Sequence, residues 1–304
     1  MPRIPILFLL ALSILGSTKV ELFVKSQSTS GAKIPPSDQD LFEFALNLEY
    51  LEAEFFLSGS LGYGLDKIAP NLAAGGPPPV GARMANLSSL VKDIITQFGY
   101  QEVGHLRVIK ETIGGFPRPQ LNLSMEVFAM VMNDAFGKVL VPPFDPYAND
   151  INYLLASYVI PYVGLTGYVE ANRLLKSPTS RRLVAGLLGV ESGQDAVIRT
   201  ILYERKDEKV VPYGITVAEF TNRISELRNN LGKDGVKDEG LIVRRSESAE
   251  GKTTGNILSA DANSISYART PEEILRIVYG TGNERKPGGF YPKGAKGRIA
   301  QSYL

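Results

Sequence analysis

The stretch Gln101-Glu102-Val103-Gly104-His105 lies near the middle of a segment, Asn86–Thr112, whose apolar residues recur every three or four positions. Such spacing predicts an amphipathic helix with one apolar face. Glu102 and His105 are three positions apart, so both project from that apolar face rather than toward solvent. We therefore expect a helical protein that holds an acid and an imidazole inside its core.

A helix earlier in the chain also carries acids on its apolar face. It is predicted from Ser37 to about Gly59. Its projection at about 100° per residue places Glu52 within the apolar stripe and Glu49 on the same side. The same projection turns Glu54 to the opposite face, which predicts an exposed side chain.

A later helix, from about Thr179 to Arg205, repeats the i, i+3 pattern with Glu191 and Gln194 on its inward face. A further long helix is predicted between Ala148 and Leu175. Four helices of this length indicate a bundle. Residues 114–146 are long enough to cross it from one helical pair to the other.

Several buried carboxylates need compensation by a cation or by protons, because an unpaired charge is costly to bury. A Glu-x-x-His on one helix, with single glutamates on others, is typical of di-iron and di-manganese sites in bundles. Carboxylate and imidazole groups suit iron or manganese as ligands. The candidate metal ligands are Glu49, Glu52, Glu102, His105, Glu191 and Gln194.

The same side chains also fit a structural polar network without metal. Glu102 with His105 can form a hydrogen-bonded pair that ties two helices together, and Glu191 with Gln194 can do the same. Glu52 can reach an arginine or a tyrosine of another helix. The sequence alone leaves both interpretations open.

The composition excludes several other kinds of site. The chain of 304 residues has no cysteine and one histidine, which rules out disulfides, iron–sulfur clusters and three-histidine metal sites. Its formal net charge of +1 argues against a nucleic-acid surface. No GxxxxGK[ST] phosphate loop is present, so no nucleotide site is predicted. No haem is expected either.

The N-terminal residues have the pattern of a secretory signal peptide. Arg3 precedes an uncharged run, Ile4–Leu15, that is too short to cross a bilayer. We expect residues 1–25 to be removed, which leaves no transmembrane anchor. Glycosylation sequons at Asn86 and Asn122 agree with export. The predicted location is extracellular, in the cell wall, with the vacuole as the alternative.

Three segments of the chain resemble the plant desiccation-related proteins that contain a ferritin-like domain. The segments are Asn47–Phe55 (NLEYLEAEF), Gln101–His105 (QEVGH) and Arg269–Gly280 (RTPEEILRIVYG). The resemblance covers nearly all of the chain after the signal peptide. It implies a ferritin-like fold, export from the cell and a link with dehydration stress.

The expected architecture is all-α. Residues 37–206 are predicted to form a ferritin-like four-helix bundle with a long crossover. Residues 207–304 are predicted to form a C-terminal extension of short helices that contains a polar linker, Lys233–Gly255. Thr270 and Glu273 have the spacing of a capping box and predict the start of one of these short helices.

The resemblance also implies a set of ligands. Metal-binding relatives of this fold place one glutamate on each of two helices and a Glu-x-x-His on each of the other two. Glu49 matches the first glutamate, with Glu52 a neighbouring candidate. Glu102 and His105 match one Glu-x-x-His, and Glu191 matches the glutamate of the other.

The chain departs from that ligand pattern at two positions. Gln194 replaces the second histidine, and an amide is a neutral and weaker ligand. On the third helix the missing glutamate is expected near Pro161 or Tyr162, and Pro161 is expected to kink that helix. Glu170 is the remaining acid there, near the helix end.

The functional prediction is a secreted, stress-related protein that acts as a protective or binding scaffold with an incomplete site for iron or manganese. The alternative is an enzyme that uses the buried Glu/His cluster. Such an enzyme would be a metal-dependent oxidase or catalase, or would perform metal-free acid–base chemistry on a small organic substrate. A homo-oligomer and a small-molecule ligand fit either prediction. A nucleic-acid partner does not.

Overall fold

The computed structural model describes residues 36–304, so the predicted signal peptide over residues 1–25 lies outside it. The described chain is mostly helical. Its helices are α1 (Pro36–Leu61), α2 (Leu65–Ile68), α3 (Pro70–Ala73), α4 (Ser89–Ile113), α5 (Met125–Phe136), α6 (Asp150–Val159), α7 (Pro161–Leu174), α8 (Pro178–Glu204), α9 (Val217–Gly232), α10 (Pro271–Val278) and α11 (Arg298–Gln301). The remaining regular elements are strands β1 (Lys209–Val210) and β2 (Ile215–Thr216), which pair antiparallel, and 3₁₀ turns at Arg245–Glu247 and Ala249–Gly251.

Two pairs of long helices form the bundle. Helix α1 packs along α4, α7 packs along α8, and α1 also contacts α7. Residues 114–149 connect α4 to α6 and contain α5, as the predicted crossover requires. The predicted all-α bundle is therefore present, and its inward faces meet between α1, α4, α7 and α8.

The third bundle helix is interrupted, as the proline in its sequence predicted. Helix α6 ends at Val159, and α7 begins at Pro161, with Ile160 between them. Proline lacks the N–H that a continuous helix would use and clashes with the preceding turn, so the helix axis breaks there.

The prediction that Glu54 is exposed was wrong. Its side chain is buried and forms an ion pair with Arg118, which lies in the crossover. The face of α1 opposite the bundle is covered by the end of the chain, where Tyr291 donates a 2.9 Å hydrogen bond to the Asn47 carbonyl. Helix α1 is thus surrounded by protein on nearly all sides, and its polar residues on that face are paired rather than solvated.

The segment Lys233–Gly255, predicted to be a polar linker, is packed against the bundle. Asp238 and Leu241 in this segment are buried. Arg199 of α8 donates hydrogen bonds at 2.5 to 3.3 Å to four main-chain carbonyls, those of Glu239 and Gly240 within the segment and of Asn256 and Ile257 directly after it. A buried guanidinium satisfies these carbonyls, which explains how a polar sequence remains attached to the bundle.

Helix α10 also packs on the bundle, next to α7 and α9. Its predicted capping box is present: the Thr270 hydroxyl accepts from the Glu273 N–H, and the Glu273 carboxylate accepts from the Thr270 N–H. Among residues 36–304, no helix is long and apolar enough to cross a membrane.

Candidate metal centre

Three helices bring the six predicted ligands into one buried region of the bundle. Helix α1 contributes Glu49 and Glu52, α4 contributes Glu102 and His105, and α8 contributes Glu191 and Gln194. All of these side chains are buried. The i, i+3 spacings on α4 and α8 direct each pair toward the same interior point, as the helical projection predicted.

The centre of this region is the Nδ1 atom of His105. It lies 3.1 Å from Glu49 Oε2, 3.2 Å from Glu102 Oε2 and 3.4 Å from Glu191 Oε1. One ring nitrogen carries at most one proton and so can donate to one of these oxygens at a time. Three carboxylates around a single nitrogen are therefore more than an imidazole can satisfy by hydrogen bonding.

The spacing of these four atoms fits a metal ion. All four lie within 4.8 Å of one another. Ligands at about 2.1 Å from one ion lie about 3.0 Å apart in an octahedral site and about 3.4 Å apart in a tetrahedral site. The observed nitrogen–oxygen distances of 3.1 to 3.4 Å fall in this range. Glu49, Glu102, His105 and Glu191 thus have the spacing of a coordination set of three oxygens and one nitrogen.

Several carboxylate and amide oxygens near this set lack other partners. Within the described part of the chain, the buried atoms without a hydrogen bond include Glu52 Oε2, Glu102 Oε2, Glu191 Oε2 and Gln194 Oε1. A buried oxygen without a donor is costly, since it has lost its hydration without replacement. These free oxygens are acceptors that a cation or its bound water can satisfy.

Two side chains hold the coordination set in place from outside. The Tyr168 hydroxyl donates a hydrogen bond to Glu49 Oε1, the oxygen turned away from His105. The Gln194 amide donates to Glu102 Oε1 at 2.6 Å. In both glutamates the second carboxylate oxygen, Oε2, remains directed at His105 Nδ1. Supporting contacts of this kind fix the orientation of metal ligands.

The close packing of these buried acids shifts their pKa values. Burial, together with the charge of neighbouring glutamates, raises the pKa of Glu52 and of Glu102 well above the usual carboxyl range. Burial likewise raises the pKa of Glu191. Burial also acts to raise the pKa of Glu49, but the charge and hydrogen bond of His105 outweigh it and lower that pKa. Without a cation, protons therefore compensate part of the cluster's negative charge.

The third bundle helix has a glycine and a tyrosine at the place where a glutamate ligand was expected. The position beside the cluster is Gly164, since a Cβ there would lie 2.9 Å from Glu52 Oε1 and 3.9 Å from Glu191 Oε2. The expectation that this place falls near Pro161 or Tyr162 was wrong, because the Tyr162 hydroxyl instead donates to the Lys237 carbonyl at 3.1 Å. The glycine leaves room that the Glu52 carboxyl occupies.

Glu170, the other acid considered on this helix, is not part of the cluster. Its carboxylate accepts a 2.7 Å hydrogen bond from Arg173 Nε one turn further along α7. Tyr168 was not predicted as a site residue, and its contact with Glu49 was missed. Its position four residues after Gly164 places both on one face of α7, and this spacing was the available signal.

Replacement of Tyr168 by phenylalanine is expected to weaken metal binding about tenfold, as is typical when a supporting hydrogen bond to a ligand is removed. The ring would keep its packing, but Glu49 would lose the donor that orients it. Competition with a chromophoric chelator measures the dissociation constant. An unchanged constant in Tyr168→Phe would show that Glu49 is positioned without this hydroxyl.

Four long helices with a crossover, and carboxylates and a histidine at their centre, define a ferritin-like protein. A model of the ferritin-like domain matches residues 37–204. The chain therefore belongs to the ferritin-like family, and the predicted fold class is confirmed.

Two plant proteins resemble the chain over most of its length. A ferritin-like catalase, Nec2, of Nesocodon mauritianus is 62% identical over 271 residues, which cover 89% of this chain and 87% of the relative. The desiccation-related protein PCC13-62 of Craterostigma plantagineum is 61% identical over 265 residues, covering 87% and 85%. The resemblance to desiccation-related proteins is thus confirmed. No solved structure matches the chain significantly.

Proposed function

We propose that this protein is a metal-dependent catalase that decomposes hydrogen peroxide at the buried cluster. The observation that carries the proposal is the convergence of Glu49, Glu102 and Glu191 on His105 Nδ1, with one oxygen of each carboxylate 3.1 to 3.4 Å from that nitrogen. The name of the 62% identical relative supports this reaction in particular. The sequence favoured a scaffold, and the geometry favours the enzyme, which was the alternative.

The reaction converts two molecules of hydrogen peroxide into two of water and one of dioxygen. One peroxide is oxidised to dioxygen and gives up two electrons and two protons. The other takes up the same two electrons and two protons, its O–O bond breaks, and two waters form. A bound iron or manganese centre supplies the redox change that stores the electrons between the two halves.

The chain's residues hold the ion and move the protons. Glu49, Glu102, His105 and Glu191 would be the ligands. Glu52 lies beside Glu191, outside that coordination set, with its Oε2 atom free of hydrogen bonds among the described residues. Burial and the charges of the neighbouring glutamates raise its pKa well above the usual carboxyl range. Glu52 is therefore suited to give a proton to one peroxide and to take one from the next.

The direct test of the function is oxygen evolution. The purified chain is loaded anaerobically with Fe(II) or Mn(II), freed of unbound metal, and mixed with hydrogen peroxide in an oxygen electrode. Dioxygen should be released in a 1:2 ratio to peroxide consumed. Absence of oxygen from protein that retains its metal would exclude the catalase and return the protective scaffold, suggested by the desiccation-related relative, to first place.

Replacement of Glu52 by glutamine separates proton transfer from metal binding. The amide keeps the shape of the carboxyl but cannot carry the proton. We expect Glu52→Gln to retain its metal and to lose about a hundredfold in kcat, the usual contribution of a general acid–base group. Metal content and oxygen evolution are measured on the same sample. Loss of the metal would instead identify Glu52 as a ligand.

The affinity for metal should increase with pH. Glu102 and Glu191 have raised pKa values, and His105 also has a raised pKa because of Glu49 and its other carboxylate neighbours, despite its burial. Each must lose its proton before it can coordinate, so each proton released strengthens binding by up to about tenfold per pH unit. Titration with Mn(II) at pH 5.5, 6.5 and 7.5 measures the slope. A dissociation constant independent of pH would argue against these ligands.

We also propose that the protein is exported and acts outside the cell during water stress. The support is the sequence of residues 1–25 and the family resemblance. Of the two sequons, Asn86 has an exposed side chain and Asn122 a half-buried one, so Asn86 is the better glycan acceptor. N-terminal sequencing and glycan analysis of protein from plant tissue test this. A retained N-terminus would contradict export by a cleaved signal.

A further inference from the structure

We propose that an apolar pocket between α1, α7 and α10 is the substrate entrance to the carboxylate cluster, and that it admits only small uncharged molecules. This inference rests on the proposed function, because it concerns access to the same site. It assigns a role to α10, which lies outside the ferritin-like match to residues 37–204. Helix α10 would form the selective wall of the entrance.

The pocket leads from the protein surface to the cluster. At its outer end lie Leu41, half-buried on α1, and Leu174, which is 42% exposed at the end of α7. At its inner end lie Glu49, Glu52 and Glu191. The separation of Leu41 and Glu52 along α1, at 1.5 Å per residue, gives a path of about 16 Å.

The side chains along this path are mainly apolar. Its free volume is about 30 Å³, which is room for about two water molecules. The apolar residues of the wall are Leu41, Phe44, Ala45, Leu48, Ala171, Leu174, Pro271 and Ile274. A passage this narrow and apolar favours a molecule of two or three heavy atoms over a larger one.

Two charged residues of the wall lie outside the cluster: Glu170 is paired, and Arg269 is paired through Nη2 while its Nε and Nη1 have no hydrogen bond among the described residues. The Glu170 carboxylate accepts from Arg173 Nε at 2.7 Å. Arg269 Nη2 donates to Asn229 Oδ1 at 3.2 Å, and its guanidinium lies over the Tyr162 ring. An anion in the path would lose its hydration and approach a group of four glutamates, so both desolvation and charge oppose its entry.

Helix α10 forms one side of the path, and two glycines of α7 also line it. A Cβ on Gly167 would lie 2.8 Å from Ile274 Cδ1, so Ile274 packs directly against this glycine. Gly164, one turn earlier, leaves open the space beside Glu52 at the inner end. Ile274 is buried and is the α10 side chain that faces this gap. Ile274 of α10 and Ala45 of α1 both line the path.

Binding of nitric oxide to Fe(II)-loaded protein tests the entrance without turnover. Nitric oxide is uncharged, has two heavy atoms, and changes the absorption and paramagnetic resonance of ferrous iron when it binds. Stopped-flow mixing under anaerobic conditions gives its association rate. The variants are Ala45→Met, which fills the path, Ala45→Ser, which keeps its size, and Ile274→Ala, which widens it from α10. Iron per chain is measured for each.

We expect Ala45→Met to bind nitric oxide about tenfold more slowly than Ala45→Ser, since close-packed interiors leave no alternative space along the wall. Ile274→Ala should bind it faster than the unmodified protein. Azide, an anion of three heavy atoms, should not compete. Equal rates in all variants, or competition by azide, would overturn the proposed entrance even if oxygen evolution is normal. A chain that binds no iron would instead remove the proposed function, and the entrance with it.

Discussion

Replacement of Glu102 by glutamine is expected to abolish stable metal binding and, with it, oxygen evolution from peroxide. Glu102 Oε2 lies 3.2 Å from His105 Nδ1, and its other oxygen accepts from Gln194. The amide keeps the volume of the carboxyl but removes a charged oxygen from a set of three carboxylates and one imidazole. We expect the dissociation constant for Mn(II) to rise by at least about a hundredfold. Equilibrium dialysis measures it.

The matched control is Glu111→Gln on the same helix. Glu111 is exposed and lies outside the cluster, so this change removes the same charge without touching the site. Its metal content and activity should equal those of the unmodified protein. Both variants should have the same helical content. If Glu102→Gln retained tightly bound metal and full activity, the ligand assignment would be wrong.

Replacement of Arg118 by methionine is expected to lower the free energy of unfolding by about 3–5 kcal/mol, the usual cost of removing one partner from a buried charge network. Arg118 pairs with Glu54 and donates to the carbonyls of Pro77 and Gly76 at 2.8 and 2.9 Å. Its side chain also pairs with Asp66 at 2.8 Å. Methionine fills much of the space but leaves these acceptors without a donor. Urea denaturation followed by circular dichroism measures the change.

Two further variants decide whether the effect comes from the buried network. Arg205→Met removes an arginine from a partly exposed pair with Glu208 and should cost less than about 1 kcal/mol. The double variant Glu54→Met/Arg118→Met removes both charges and should be less destabilised than the sum of the two single variants, with a coupling of about 1–3 kcal/mol. A loss in Arg118→Met no larger than that in Arg205→Met would contradict the importance of this network.

The helical bundle and the central ligands could be predicted because they depend on local periodicity. The apolar stripe of α4 fixes the direction of Glu102 and His105, and the same reasoning applies to Glu191 on α8. The capping box at Thr270 likewise depends on residues within one turn. Such features can be predicted without knowing which distant residues pack against them.

The burial of Glu54 could not be predicted because it depends on contacts far away in sequence. A helical projection assumes that one face of the helix meets solvent. In this protein that face of α1 meets Arg118 from the crossover and Tyr291 from the end of the chain. The error therefore arises from tertiary packing and not from the local pattern.

The contribution of α7 to the site was missed for two different reasons. A break at a proline is expected, but the direction in which the following helix runs depends on tertiary packing, so the position beside the cluster could not be fixed from the sequence. Gly164 acts through the absence of a side chain, which leaves space for Glu52. Because a glycine has no side chain, its sequence position does not indicate a role in the site.

The central claim is that the buried Glu49, Glu102, His105 and Glu191 cluster binds a redox-active metal ion. Elemental analysis of the folded chain after anaerobic loading with Fe(II) or Mn(II) and gel filtration tests it most directly. We expect at least one ion per chain, retained through gel filtration and lost in Glu102→Gln but not in Glu111→Gln. Folded protein that emerges without metal from both loadings would contradict it and would leave the cluster as a protonated polar core.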